Sequence, residues 1–404
     1  MIDRMGKMAD GIYDVVVVGG GPAGATAAHE LAQAGRSVLL LDRSGRIKPC
    51  GGAIPPRAIA DFAIPDSMIV ARATSARMIA PSDKTVDMPV GNGYVGMVDR
   101  EHFDEWLRER AGLAGADRRT GTFERITRDG EGTTVHYFAG EERDKSEPAS
   151  VRARLVIGAD GARSAVARQE IKGAEKMKFV FAYHEIVKAP EAGTPGYDPA
   201  RCDVFYQGKM SPDFYSWIFP HGDTMSIGTG TMRKGFSLRG AVGQLRDATG
   251  LAGAETIRRE GAPIPLKPLR RWDNGRDVLL AGDSSGVVAP ASGEGIYYAM
   301  AGGHLAAEAA LRFCATGDVR ALRHARRQFM KEHGRVFMIL GIMQYFWYSS
   351  DKRRERFVKI CQDPDVQRLT WESYMHKRLV KTDHAAHAKI FFKDLAHLFG
   401  FARA

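Results

Sequence analysis

Cysteine is scarce in this sequence: four among 404 residues, Cys50, Cys202, Cys314 and Cys361, with no CxxC pair. That excludes a disulfide framework and a zinc ribbon, points to a reducing compartment, and leaves no metal site to expect. Apolar runs long enough to span a bilayer are also missing; the longest candidate, residues 337–348, is broken by Gly341 and Gln344. The first twelve residues have no apolar core of signal-peptide length, so no secretion signal is expected and residues 1–12 read as a loose tail, with Met1, Met5 and Met8 as alternative starts. No internal repeat and no low-complexity segment is present. Acidic residues fall short of basic ones, 48 against 58, for a net charge of +10. Such an excess suits an anionic membrane surface, nucleic acid or plain solubility. Nucleic acid drops out because no recognised binding motif accompanies the basic residues.

What the sequence does have is a strand–turn–helix–strand unit near its start. Val15–Val18 is a continuous β-branched run, the pattern of a strand buried on both faces. It ends in GGGPAG, residues 19–24, and a helix is expected from Ala25 to about Ala34, closed by Gly35. A second strand over 37–41 ends at Asp42-Arg43. Within the GxGxxG, Gly19 permits the tight turn, Gly21 lets backbone approach a pyrophosphate, and Gly24 allows helix to pack on strand. The helix N-terminus, with Pro22 and Ala23, offers N–H groups to the phosphates, and Asp42 can accept from both ribose hydroxyls. A lone GxGxxG is weak; this one has its strand, helix and acid. It does not separate FAD from NAD.

Residues 44–56, SGRIKPCGGAIPP, read as a loop. In it Cys50 beside Gly51-Gly52 is either a thiol facing a site or an inert cysteine in a glycine turn. Short strands are expected over 74–98. Asp99 can cap a following helix, in whose first turn Arg100 opposes the helix dipole and so suits an anionic partner such as a cofactor phosphate; the alternative is a solvated arginine. Residues 123–138 form a hairpin, 141–150 a polar loop, and 151–157 a buried strand ending in Gly158-Ala159-Asp160-Gly161. Residues 175–270 read as one antiparallel sheet. Tyr215, Trp217 and Phe219 alternate onto one face of it, either as core or as the wall of an apolar tunnel. A strand over 277–281 leads to Gly282-Asp283, then Gly293, Glu294, Gly295 and a helix over 296–313. Three glycine-acid turns after apolar strands imply one sheet whose carboxyl edge holds one extended ligand. From 319 on the chain reads as helical and basic. The run 352–356 is a solvated helix face, and 390–399 is amphipathic, closing over its own domain or lying on a membrane.

The trio GGGPAG, GADGARS and LLAGDSSG resembles the FAD-dependent family typified by para-hydroxybenzoate hydroxylase, over residues 13–315. KPCGGAIP (48–55), YSWIFP (215–220) and APASGEGIYYAM (289–300) are similar to the geranylgeranyl reductase family, and TWESYMHKRLV (370–380) resembles its chlorophyll and bacteriochlorophyll branch. The resemblance implies an α/β fold: a Rossmann-like FAD-binding domain over 13–170 and 275–318, an antiparallel-sheet substrate domain over 171–274 joined by part of 70–98, and a helical region over 319–404. It implies FAD held by Gly19, Gly21, Pro22, Ala23, Gly24, Asp42, Arg43, Cys50, Gly51, Arg100, Asp160, Gly161, Asp283, Gly293 and Gly295. It makes Cys50, Tyr215 and Trp217 the candidate catalytic residues, with Cys50 and Tyr215 as candidate proton donors.

The activity implied is NADPH-driven saturation of isolated double bonds in a geranylgeranyl group, carried by (bacterio)chlorophyll or as the free diphosphate. With no second GxGxxG, no separate nicotinamide domain is expected. Such a substrate implies peripheral contact with the cytoplasmic side of a photosynthetic or inner membrane, without a transmembrane helix. The rivals are an aromatic hydroxylase or halogenase on the same scaffold, against which the CGG loop and YxWxFP speak, and a pigment-binding protein with a relic flavin fold, against which the intact glycines, Asp42 and Asp283 speak.

Overall fold

The computed structural model describes residues 11–43, 47–91, 93–130, 132–141 and 147–377. The tail 1–10, residues 378–380 of TWESYMHKRLV and the amphipathic 390–399 segment lie outside the described residues. In chain order the chain forms β1 (Ile12–Val18), α1 (Pro22–Gln33), β2 (Val38–Asp42), β3 (Ala53–Ile54), α2 (Pro56–Asp61), β4 (Ala71–Ala73), β5 (Ser75–Ile79), β6 (Thr85–Pro89) and β7 (Val95–Met97). Then come α3 (Arg100–Leu113), β8 (Asp117–Asp129), β9 (Gly132–Ala139), β10 (Glu147–Gly158), α4 (Ala165–Glu170), β11 (Phe179–Lys188), β12 (Arg201–Phe205), β13 (Ser216–His221) and β14 (Thr224–Thr231). Last are α5 (Leu238–Ala248), β15 (Thr256–Pro265), β16 (Val278–Leu280), α6 (Ile296–Thr316), α7 (Arg323–Trp347), α8 (Asp351–Ile360) and α9 (Pro364–His376). Two compact units result, each from three stretches of chain: residues up to 50 with 100–179 and 263–337, and residues 51–99 with 180–262 and 338 onward.

The first unit is built on β1. Val15, Val16 and Val17 are wholly buried, as a strand covered on both faces requires. It pairs in parallel with β2 on one side and β10 on the other, and β10 pairs in parallel with β16. All four strands therefore release the chain at one edge. The long strands β8 and β10 each change partner along their length. β8 lies parallel to β2 through 117–120 and antiparallel to β9 beyond, and β10 lies against β9 through 147–153 and against β1 from 152 on. That second pairing corrects the loop expected over 141–150, since 147–150 are strand opposite 136–139. Helix α1 starts earlier than the apolar pattern indicates, with Pro22 in its first turn where a missing N–H costs nothing.

The second unit holds a seven-stranded sheet ordered β15-β11-β14-β13-β12-β5-β6 and a three-stranded sheet ordered β3-β7-β4. The pairings of β11 with β14, β14 with β13 and β13 with β12 are antiparallel, as expected for 175–270, while β12 runs parallel to β5, which comes from outside that stretch. One face carries Val187, Ile218, Met225 and Ile227, packed with Val242 and Leu245 of α5. Helix α5 breaks the all-strand expectation for 175–270; Ser237 caps it by accepting from Gly240 N–H. Arg246 on α5 pairs with Glu185 and donates to the Thr256 hydroxyl (2.8 Å) and the Leu251 carbonyl (3.2 Å), so a buried guanidinium ties helix to sheet. The run 352–356 is not a solvated face throughout. Arg354 is buried and donates to the carbonyls of Ser211 (3.1 Å), Pro212 and Tyr348.

Of the region expected as helical over 319–404, the described residues divide: 319–337 fall in the first unit and 338–377 in the second.

Removing Arg246 leaves the Glu185 carboxylate buried with most of its neutralising charge gone. Arg246→Ala is expected to lower unfolding stability by about 3–5 kcal/mol, read from urea denaturation; a change within error would show that the pair contributes nothing net.

Candidate cofactor site and aromatic row

In the first unit the three glycine-acid turns meet at one strand edge. Gly19, after β1, has φ +106°, and a Cβ there would collide with the Ala159 carbonyl that follows β10. A Cβ on Gly24 would collide with the Gly19 carbonyl, and one on Gly303 of α6 with the Ala23 carbonyl. Backbone thus closes on the start of α1 from two sides. Gly21 is the exception: nothing lies within 4 Å of its Cβ position. No side chain caps α1, so its first N–H groups face that open side, which suits a pyrophosphate. Gly161, with φ +85°, is open in the same way.

Asp42 stands at the end of β2, where Gly20 N–H donates to it and Arg108 of α3 lies 3.3 Å away. Burial raises its pKa, and Gly20 and Arg108 act against that rise. Asp42 and Arg43 line a cavity of about 620 Å³ with Leu40, Arg100, Arg108 and Thr120. A carboxylate beside open space and an uncapped helix start fits the ADP end of FAD.

Asp283 lies in a single 3-10 turn (Gly282–Ser285) after β16 and is buried; its carboxylate pairs with Lys48. Lys48 was missed as a site residue, although it opens the KPCGGAIP stretch. Gly295 caps α6 with its Cβ position 3.8 Å from Asp283 Oδ1, and Gly293 has φ +66°. Asp160 stands in the turn between β10 and α4. Its carboxylate accepts from the Ser164 hydroxyl (2.5 Å) and from Ala165 N–H (2.6 Å), so it organises the start of α4. Burial raises its pKa.

Arg100 is not a solvated arginine. It is buried and grips Asp104 with two bonds, 2.8 and 2.6 Å. Burial works against its charge, but Asp104 and then Cys50 more than offset this and hold its pKa above the ordinary value. Of the four cysteines Cys50 alone is not buried, while burial pushes the Cys202 thiol up to about 12. A half-exposed thiol beside a fixed guanidinium is the candidate for chemistry, and Cys202 is inert.

In the second unit Tyr215, Trp217 and Phe219 form a continuous row, with ring centroids 5.9 and 6.2 Å apart. Phe214 stacks on Tyr215 at 4.3 Å. Gly51 sits on this row: its Cβ position is 3.0 Å from the Phe219 ring and 4.0 Å from Trp217 Nε1. Gly52, with φ +72°, lies against His221 in the same way. Burial lowers the pKa of His221 to about 4, so the ring next to the CGG turn is neutral.

Residues 12–190 match the family model described as FAD binding domain. The chain is 60% identical to a geranylgeranyl diphosphate reductase of Rhodobacter capsulatus, over 96% of this chain and 98% of that protein. It is 35% identical to the protein of that name from Synechocystis, over 96% and 98%. Among solved structures, a geranylgeranyl bacteriochlorophyll reductase-like protein from Thermoplasma acidophilum superposes with a TM-score of 0.79 at 22% identity, covering 93% of this chain and 99% of that one. A flavin-dependent brominase superposes at 0.75 with 21% identity, over 96% and 100%, which shows a shared fold alone.

Asp283→Ala is expected to weaken FAD retention by about 1.5–3 kcal/mol, the worth of hydrogen bonds to a charged group. Flavin absorbance after gel filtration checks it, and undiminished occupancy would remove Asp283 from the cofactor site.

Proposed function

The chain belongs to the geranylgeranyl reductase family, and on that premise we propose that it saturates isolated double bonds of a geranylgeranyl chain esterified to (bacterio)chlorophyll, using NADPH. The free diphosphate is the alternative substrate. The observation that carries the reading is the aromatic row with the CGG backbone laid on it: Tyr215, Trp217 and Phe219 in series, and Gly51 packed against the last two.

A trisubstituted alkene has no carbonyl to polarise. Saturating it takes a hydride on one carbon and a proton on the other, with positive charge developing at the tertiary centre. FAD, when bound and reduced by NADPH, supplies the hydride. The rest falls to this chain. Gly21, the start of α1, Asp42 and Asp283 with Lys48 would hold the cofactor. The rings of Tyr215, Trp217 and Phe219 exclude water and present faces that tolerate developing positive charge. The proton comes from Cys50, beside Arg100, or from the Tyr215 hydroxyl. A brominase-like oxygen chemistry has only the fold in its favour.

Membrane contact on the cytoplasmic side belongs to the same proposal. No described helix is long and apolar enough to cross a membrane. Along α7, however, Met338, Ile342 and Tyr345 recur on one face, 60, 61 and 85% exposed. Exposed Lys352 follows on α8, and the Arg353 guanidinium lies over the Phe346 ring at 4.2 Å. Apolar and aromatic side chains edged by cations fit the headgroup region of an anionic bilayer.

Incubation with NADPH under anaerobic conditions is expected to raise the mass of the esterified pigment in steps of two hydrogens. A reaction that stops without oxygen would instead mark a hydroxylase, and reduction of the free diphosphate alone would move the substrate assignment. Sedimentation with phosphatidylglycerol-containing vesicles should exceed that with phosphatidylcholine alone. Ile342→Glu with Tyr345→Glu should weaken it about tenfold; unaltered sedimentation would dismiss this face.

A further inference from the structure

Four adjacent strands of the second unit each contribute one side chain to a hydrogen-bonded line. Trp217 Nε1 on β13 donates to Ser226 Oγ on β14 (3.0 Å). Ser226 Oγ and His184 Nδ1 on β11 are 2.8 Å apart, and His184 Nε2 and Glu260 on β15 are 2.9 Å apart. An indole N–H can only donate. The Glu260 carboxylate can only accept, so His184 Nε2–H donates to it; in that tautomer Nδ1 accepts the serine proton, while Ser226 Oγ accepts from the indole. Every donor has one acceptor, and the line has one direction.

Space is cut for this arrangement. Gly228 lies opposite both Trp217 and His184 in register, and a Cβ on it would collide with the Trp217 ring. The indole thus lies across β14 in a glycine notch and is pinned at its nitrogen. The other face of these strands carries Ile218, Met225 and Ile227 in an apolar core. Apolar residues would serve equally well on the face of Trp217 if packing were all that mattered. A buried polar line adds orientation, since a satisfied network admits one arrangement of its members. Gly51 rests on the same rings, so a turn of the indole would displace the CGG backbone.

We propose that Ser226 and His184, anchored by Glu260, are positioning residues that lock the plane of the Trp217 indole, and that this lock sets how many double bonds of the prenyl chain are reduced. The inference rests on the aromatic row being the wall of the substrate channel. Successive reductions bring successive isoprene units past the same ring. A fixed ring offers each unit one face, whereas a mobile ring holds the chain in mixed registers and releases it early.

The test compares Ser226→Ala, His184→Leu, His184→Asn and Trp217→Phe as purified flavoproteins, by product mass distribution and by tryptophan emission. Ser226→Ala and His184→Leu are expected to keep FAD, to raise the share of incompletely reduced products severalfold, and to shift the emission component that Trp217→Phe removes. His184→Asn, whose Oδ1 stands near the position of Nδ1, should restore the wild-type pattern. Should Ser226→Ala lose its flavin, the His184 pair decides. Wild-type products from Ser226→Ala and His184→Leu, with altered products from Trp217→Phe, overturn the lock and leave the channel reading intact. Wild-type products from Trp217→Phe overturn both.

Discussion

The site depends on one constraint: β2, β1, β10 and β16 are parallel neighbours. Parallel pairing gives four chain exits at one edge, and each exit carries a glycine turn or an acid. Gly19 follows β1, Asp42 closes β2, Asp160 follows β10 and Asp283 follows β16. Were any of these strands reversed, its motif would lie a strand's length away. The start of α1 then fits only because Gly24 and Gly303 have no side chains, and the one open side, at Gly21, is the side left for a ligand.

Charge is handled differently at the strand edge and beside the CGG turn. At the strand edge, acids keep nearby cations: Asp42 has Arg108, Asp283 has Lys48, and Arg100 is held by Asp104. Around the aromatic row the ionisable ring His221 is kept neutral by burial. A polyanionic cofactor calls for the first arrangement, and an apolar chain with a transient cation calls for the second.

Much of this was legible because it is local. A β-branched run, a glycine turn and a terminal acid within thirty residues define the edge at Gly19–Asp42, and YxWxFP shows its alternating rings directly. Pairings between distant segments were not legible. Nothing in Ser226 or His184 announces the other, since their contact depends on β14 lying beside β11. The parallel pairing of β12 with β5 is likewise a choice between distant partners. Two misses did carry signals. Ser237 before Ala241, Val242 and Leu245 is a capped amphipathic helix hidden among glycines. Lys48, in a motif ending near a buried acid, supplied the cation that Asp283 needs. Strand β15 escaped because its first six residues alternate half-buried with exposed, with Arg258 and Glu260 on the half-buried side and Ile257 exposed, so no apolar alternation shows.

The interleaving of the two units has a consequence for synthesis. The first is complete only with residues 263–337 and the second only with residues beyond 338. As the chain emerges from the ribosome, neither core can close until most of it has been made. The valines of β1 are enclosed in the finished sheet, but of its neighbours only β2 follows it closely in the chain, while β10 and β16 are made much later. An apolar strand waiting with an unpaired edge is a template for the wrong neighbour. The nascent chain, more than the finished protein, is where this architecture is vulnerable.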